Sequence, residues 1–112
     1  MEELTLNLIK KVVEDKKCED IAVYDVRTSS PICSYIVIAT VNNARQGKAV
    51  ADQIEEEVEK LGGHIHHVEG DERTPWILID EGDIIIHLFT EQERQRINLD
   101  ELITQVNNHA RI

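Results

Sequence analysis

The stretch Trp76-Ile77-Leu78-Ile79-Asp80-Glu81-Gly82-Asp83-Ile84-Ile85-Ile86-His87-Leu88-Phe89 decides how this chain folds. Two apolar runs rich in isoleucine flank a short polar segment, the pattern of two strands joined by a tight turn. A two-residue turn at Glu81-Gly82 predicts a hairpin with Asp80 opposite Asp83, Leu78 opposite Ile85 and Trp76 opposite His87. Side chains alternate along a strand, so one face carries Ile77, Ile79, Ile84, Ile86 and Leu88. That face is wholly aliphatic and suits a core beneath helices. The other carries Trp76, Leu78, Ile85, His87 and Phe89, with the two aspartates at its tip. An indole, a titratable ring and large apolar residues together suit a protein contact. Helices sandwiching the sheet would instead make the same residues a second core layer, and the stretch alone leaves both readings open.

Outward from the hairpin, apolar periodicity predicts a helix from Thr5 to Lys16, with Leu6, Ile9 and Val13 on one face. Ile21–Val26 reads as a strand, Arg27–Ser34 as a polar loop, and Tyr35–Thr40 as a continuous apolar strand covered on both faces. Asn42 and Asn43 can cap a helix that runs to Leu61, where Gly62-Gly63 supplies a left-handed stop. His64–Val68 reads as a strand, followed by a polar loop through Thr74. Asn98 can cap a last helix over Leu99–Val106. The order of elements implies one α/β domain over residues 1–112, with helices packed on a mixed sheet of about five strands. The helix between the second and third strands is long enough for a parallel crossover.

Acidic residues outnumber lysine and arginine 22 to 12, a formal net charge of −10. Such a surface repels phosphate backbones, which excludes direct nonspecific nucleic-acid binding and favours a basic protein partner. Cys18 and Cys33 match no zinc-ribbon or paired-thiol spacing and read as partly buried thiols in a reducing compartment. Charged residues interrupt the N-terminal apolar positions, so no signal peptide is expected, and no apolar run approaches membrane-spanning length. The expectation is a cytoplasmic protein.

Two constellations invite chemistry. Asp80 and Asp83, on one hairpin face, have the oxygen ligands a divalent cation takes, which would suit a metal-dependent nucleotide-processing enzyme; a solvated turn is the simpler reading. No glycine-rich phosphate loop accompanies them. His64 and His66 would share a strand face, with His67 beside them, and this cluster has the donors for zinc or nickel. A polar edge strand accounts for it equally. Arg45, near a helix start, has many carboxylates to pair with. No metal, cofactor or catalytic residue is therefore assigned.

The chain resembles the ribosome silencing factor family, also called the Iojap family, over nearly its whole length. The matching stretches are Cys18–Val26, Tyr35–Thr40, Asn42, Arg45-Gln46, Lys48–Asp52 and Glu69-Gly70, then Trp76–Asp80 running into Gly82–Phe89, Glu93-Arg94 and Asn98-Leu99. The resemblance implies a nucleotidyltransferase-like topology without that activity. It also implies binding to the large ribosomal subunit through large-subunit ribosomal protein fourteen, blocked association with the small subunit, repressed translation under nutrient limitation, and a homodimer. Carried over residue by residue, Trp76 matches the contact position directly, and His87 and Arg94 match family positions. With the open hairpin face, the expected partner-binding set is Trp76, Leu78, Ile85, His87, Phe89, Arg94 and Ile97.

The chain departs from the family pattern at several places. Val41 replaces a usual glycine, Gly47 a usual aliphatic residue, and Glu81 a commonly apolar or aromatic one. Ile97 stands where tyrosine is common and Ile103-Thr104 where a leucine-tryptophan pair is. A tyrosine at position 97 has a hydroxyl to offer a partner, whereas Ile97 can only pack.

Overall fold

The computed structural model describes residues 2–106 and 112. Helix α1 (Glu2–Asp15) buries Leu6, Ile9, Val12 and Val13, one stripe at helical spacing. Strands β1 (Glu19–Asp25) and β2 (Tyr35–Val41) follow. Helix α2 (Ala44–Lys60) begins where the Asn43 side chain accepts the Gln46 N–H at 2.8 Å. It ends with Gly63 N–H donating to the Val58 carbonyl at 2.9 Å and Gly62 at φ +94°, the left-handed exit a glycine permits. Then come β3 (His67–Glu69), β4 (Trp76–Asp80), β5 (Ile84–Thr90), α3 (Glu91–Ile97) and α4 (Leu99–Val106).

The strands form one mixed five-stranded sheet in the order β1-β2-β5-β4-β3. Only β2 and β5 pair in parallel; the other three pairings are antiparallel. Helix α2 carries the chain across the sheet to the edge strand β3, and the hairpin then returns inward so that β5 docks beside β2. The two most continuously apolar strands thus end up side by side at the centre.

Helices α1 and α2 cover one face. Beneath them lie Val37, Ala39, Ile77, Ile79, Ile84, Ile86 and Leu88, every one at 1% exposure or less. The aliphatic hairpin face is the main core, as its composition predicts, and each such side chain removed from water contributes roughly 2 kcal/mol. The second face is covered only in part. Ile103 of α4 enters a smaller cluster with Ala22, Tyr24, Val26, Ile38 and Phe89, against which Ile36, Trp76, Ile97 and Leu99 pack half-buried.

Four expectations need correction. The hairpin turn is Gly82-Asp83, because Gly82 adopts φ +107° and its N–H is held by Asp80 Oδ1 at 2.8 Å, while Glu81 N–H donates to the Ile84 carbonyl at 3.0 Å. The register therefore shifts by two: Trp76 faces Phe89, Leu78 faces His87 and Asp80 faces Ile85. A shift of two preserves side-chain parity, so the assigned faces survive. His64 and His66 precede the strand, which covers only His67–Glu69. A helix over Glu91–Ile97 was not anticipated, since it buries no residue and shows no apolar stripe. Asn98 closes that helix at φ 52° and also opens the next, its carbonyl accepting the Leu102 N–H at 3.4 Å, while its side chain donates to Glu101 instead of capping.

Candidate functional site

Two rows of side chains cross the second face of the sheet. At the hairpin end Tyr24, Ile36, Ile85 and Asp80 lie abreast; one step along, Ala22, Ile38, His87, Leu78 and Glu69 do. Beyond them Thr40 neighbours Phe89, and Phe89 neighbours Trp76. Helices α3 and α4 lie over the β1–β2 side of this face. Ile36, Ile85, Leu78 and Trp76 are half-buried.

Trp76 is held rather than loose. Its indole Nε1–H donates to His87 Nδ1 at 3.1 Å, and its ring lies 5.0 Å from that of Phe89. His87 stacks on Phe89 at 5.8 Å. Accepting at Nδ1 requires a neutral imidazole protonated at Nε2. Burial agrees with this, because it pushes the His87 pKa down to about 4 against a smaller opposing pull from Asp100. The three rings pack on one another with the indole outermost, which limits the conformational freedom of the Trp76 side chain.

Beside the indole is a concavity of about 310 Å³ lined by Glu69, Gly70, Thr74, Trp76 and Leu78. Gly70 is required there. It sits at φ +95°, and a Cβ would lie 2.4 Å from the Trp76 carbonyl oxygen. Thr74 Oγ1 accepts the Asp71 N–H at 2.9 Å, fixing the loop that leads into β4.

Of the expected contact residues, Trp76, Leu78 and Ile85 come together at the surface. Phe89 and His87 do not: they are 0% and 7% exposed, because Phe89 is sealed into the second cluster and His87 lies between Ile38 and Leu78. They lie beneath the surface that Trp76 and Leu78 present. Arg94 is turned inward as well. Its guanidinium donates to Asp100 at 3.1 and 2.9 Å, to Thr40 Oγ1 at 3.0 Å and to the Asp20 carbonyl, and Asp100 in turn accepts from the Tyr24 hydroxyl. Burial alone would raise the Asp100 pKa, yet the bonds from Arg94 and Tyr24 outweigh it and the net shift is downward. The network straps the α3–α4 corner to β1 and β2. Ile97 packs half-buried against the second cluster.

Sequence reasoning passed over Ile36, Gly70 and Thr74. Ile36 sits inside a run of continuous apolar residues, where alternation gives no signal; Gly70 needed the path of β4 to reveal its close approach. Asp80 binds a turn N–H and faces Ile85, not Asp83. His64 and His66 meet edge to face at 5.2 Å, while His67 bonds Glu69 at 2.9 Å. Among the described residues no group of three or more histidine, cysteine, aspartate or glutamate side chains is placed to hold a metal ion. Arg45 is exposed and forms no ion pair there. No helix among them is long and apolar enough to cross a membrane.

The family model described as "Ribosomal silencing factor during starvation" (RsfS) matches residues 1–111. The chain belongs to the RsfS family. Similar proteins include the ribosomal silencing factor RsfS of Halalkalibacterium halodurans, 33% identical over 87% of this chain and 83% of that protein. The RsfS of Bacillus subtilis is 31% identical over 87% of this chain and 82% of its own length. The chloroplastic Iojap protein of Arabidopsis thaliana is 32% identical over 83% of this chain but 39% of its own length. Among solved structures, one from Chromobacterium violaceum superposes with a TM-score of 0.87 at 26% identity, covering 91% of this chain and 85% of that one. Another, from Bacillus halodurans, gives 0.79 at 32%, covering 91% and 94%. An RsfS family member is named for regulation rather than catalysis, which directs attention to the half-covered face as a place for a partner.

Proposed function

We propose that this RsfS family chain docks on the large ribosomal subunit through large-subunit ribosomal protein fourteen. Bound there, it blocks the small subunit sterically and represses translation when nutrients are scarce. The observation that supports this reading is the open half of the second sheet face, where Trp76, Leu78 and Ile85 stay only partly buried while α3 and α4 cover the remainder. An aromatic anchor on a rigid base, ringed by apolar residues, is the composition of an interface hot spot. The net charge of −10 suits a basic ribosomal protein better than exposed phosphate. The protein acts in the cytoplasm, without a cofactor or a chemical step, and two copies associate as a homodimer. His87 and Phe89 support the indole from below, and Arg94 and Ile97 fix the rim.

Co-sedimentation with purified large subunits tests the assignment. Trp76→Ala and Leu78→Glu should remain folded by circular dichroism and lose roughly thirtyfold in affinity, the equivalent of about 2 kcal/mol. Folded variants that bind like the wild type would place the contact elsewhere.

A further inference from the structure

Strand β3 ends the sheet, and the direction of its backbone groups follows from the hairpin. Glu81 N–H donates to the Ile84 carbonyl and Thr90 N–H to the Pro75 carbonyl, both at 3.0 Å. Alternation then turns the backbone groups of Ile79 and Ile77 toward β5, and those of Asp80 and Leu78 toward β3. Asp80 and Leu78 face His67 and Glu69. Val68, between those two and opposite Ile79, therefore points its N–H and C=O off the sheet. At the opposite edge, Ile112 N–H donates to the Val23 carbonyl at 2.8 Å and the ladder is broken between Glu19 and Ala22. The open edge is β3, and its three-residue length limits indiscriminate pairing.

Room for side chains exists on both sides of it. The Val68 side chain, 39% exposed, stands at a groove of about 400 Å³ between α2 and β3, floored by Ala51 and Ile65. On the other side lies the Trp76–Leu78 concavity. The surroundings are acidic. Lys48 and Arg73 are paired with Asp52 and Asp71, whereas Glu55 and Glu72 have no ion pair among the described residues and add to the field on Lys48.

We propose that β3 is a strand-addition site for an extended, basic segment of the ribosomal protein partner. Its backbone pairs with the Val68 N–H and C=O, alternate apolar side chains enter the α2 groove and the Trp76 concavity, and its cations meet Glu55 and Glu72. This rests on the large-subunit docking proposed above and gives it a mode of contact. A second copy of this chain carries the same net charge of −10, so it repels this edge where a basic segment is attracted to it.

The test uses the full chain and purified large subunits. Val68→Pro deletes the outward N–H while leaving the His67 and Glu69 pairing with β4, a position where an edge strand tolerates proline. Val68→Thr keeps that N–H. Co-sedimentation should be near wild type for Val68→Thr and weakened about tenfold or more for Val68→Pro. Hydrogen exchange at the Val68 amide of the wild type should slow on adding subunits, and this readout stands even if the proline variant does not fold. An unchanged Val68 exchange rate in wild-type protein that binds, and that loses binding on Trp76→Ala, would overturn strand addition while leaving the docking face intact. Wild-type protein that does not bind large subunits would overturn both. Protection of Val68 that grows with protein concentration alone would assign the edge to a second copy and exclude the basic segment.

Discussion

Replacing Arg94 by methionine keeps the apolar stem and removes the guanidinium that joins four parts of the chain. In the folded protein that group makes two bonds to Asp100, one to Thr40 Oγ1 and one to the Asp20 carbonyl. The side chains of Arg94 and Asp100 are 14% and 24% exposed. A fully buried pair broken on one side costs about 3–5 kcal/mol, and water reaching this one reduces the figure to about 2–3 kcal/mol. Asp100 would keep only the Tyr24 hydroxyl among these side-chain partners, and Asp20, already at φ 47°, would lose the bond that holds its carbonyl. Urea unfolding of Arg94→Met should show the loss as a lower midpoint at unchanged slope. A double-mutant cycle with Asp100→Asn should return a coupling of about 1 kcal/mol or more. The pH dependence has a definite sign. A carboxyl with a lowered folded-state pKa stabilises above its unfolded value, near 3.9, and loses that contribution as pH falls through the folded value. The acid sensitivity below about pH 4 should therefore diminish in Arg94→Met. A variant that unfolds like the wild type but fails to bind large subunits would refute the strap and return Arg94 to the contact.

His87 should stay neutral down to about pH 4 in an NMR titration, since burial lowers its pKa. Because the unfolded chain takes up that proton near pH 6.5, stability should decline between pH 6.5 and 4 by up to about 3 kcal/mol, and His87→Phe should flatten this slope. Gly70→Ala, with its Cβ forced to 2.4 Å from the Trp76 carbonyl at φ +95°, should lower stability by about 2 kcal/mol or more in thermal unfolding.

The hairpin shows how far the sequence can be read. Alternation placed Ile77, Ile79, Ile84, Ile86 and Leu88 in the core, because parity depends only on where apolar residues recur. The register was misjudged because one residue of turn position rests on the φ that Gly82 adopts, and composition does not reveal it. Whether Phe89 and His87 are buried stayed open, because a second core layer and a protein contact call for the same residue types. Their burial follows from α3, whose polar sequence carries no stripe but packs Ile97 inward, and from α4, which contributes Ile103 and Leu99. Arg94 looked like an exposed contact for the same reason: its partners Asp20, Thr40 and Asp100 meet only once β1, β2 and the α3–α4 corner are assembled. Trp76, Leu78 and Ile85 were legible as a surface because they need nothing beyond the strand's own period.

Docking as proposed places this chain on the subunit-joining surface of the large subunit. Light scattering during the mixing of purified large and small subunits tests it most directly. Saturating wild-type protein should suppress the rise in scattering, and equally folded Trp76→Ala should do so far less. An undiminished rise in the presence of saturating wild-type protein would contradict it.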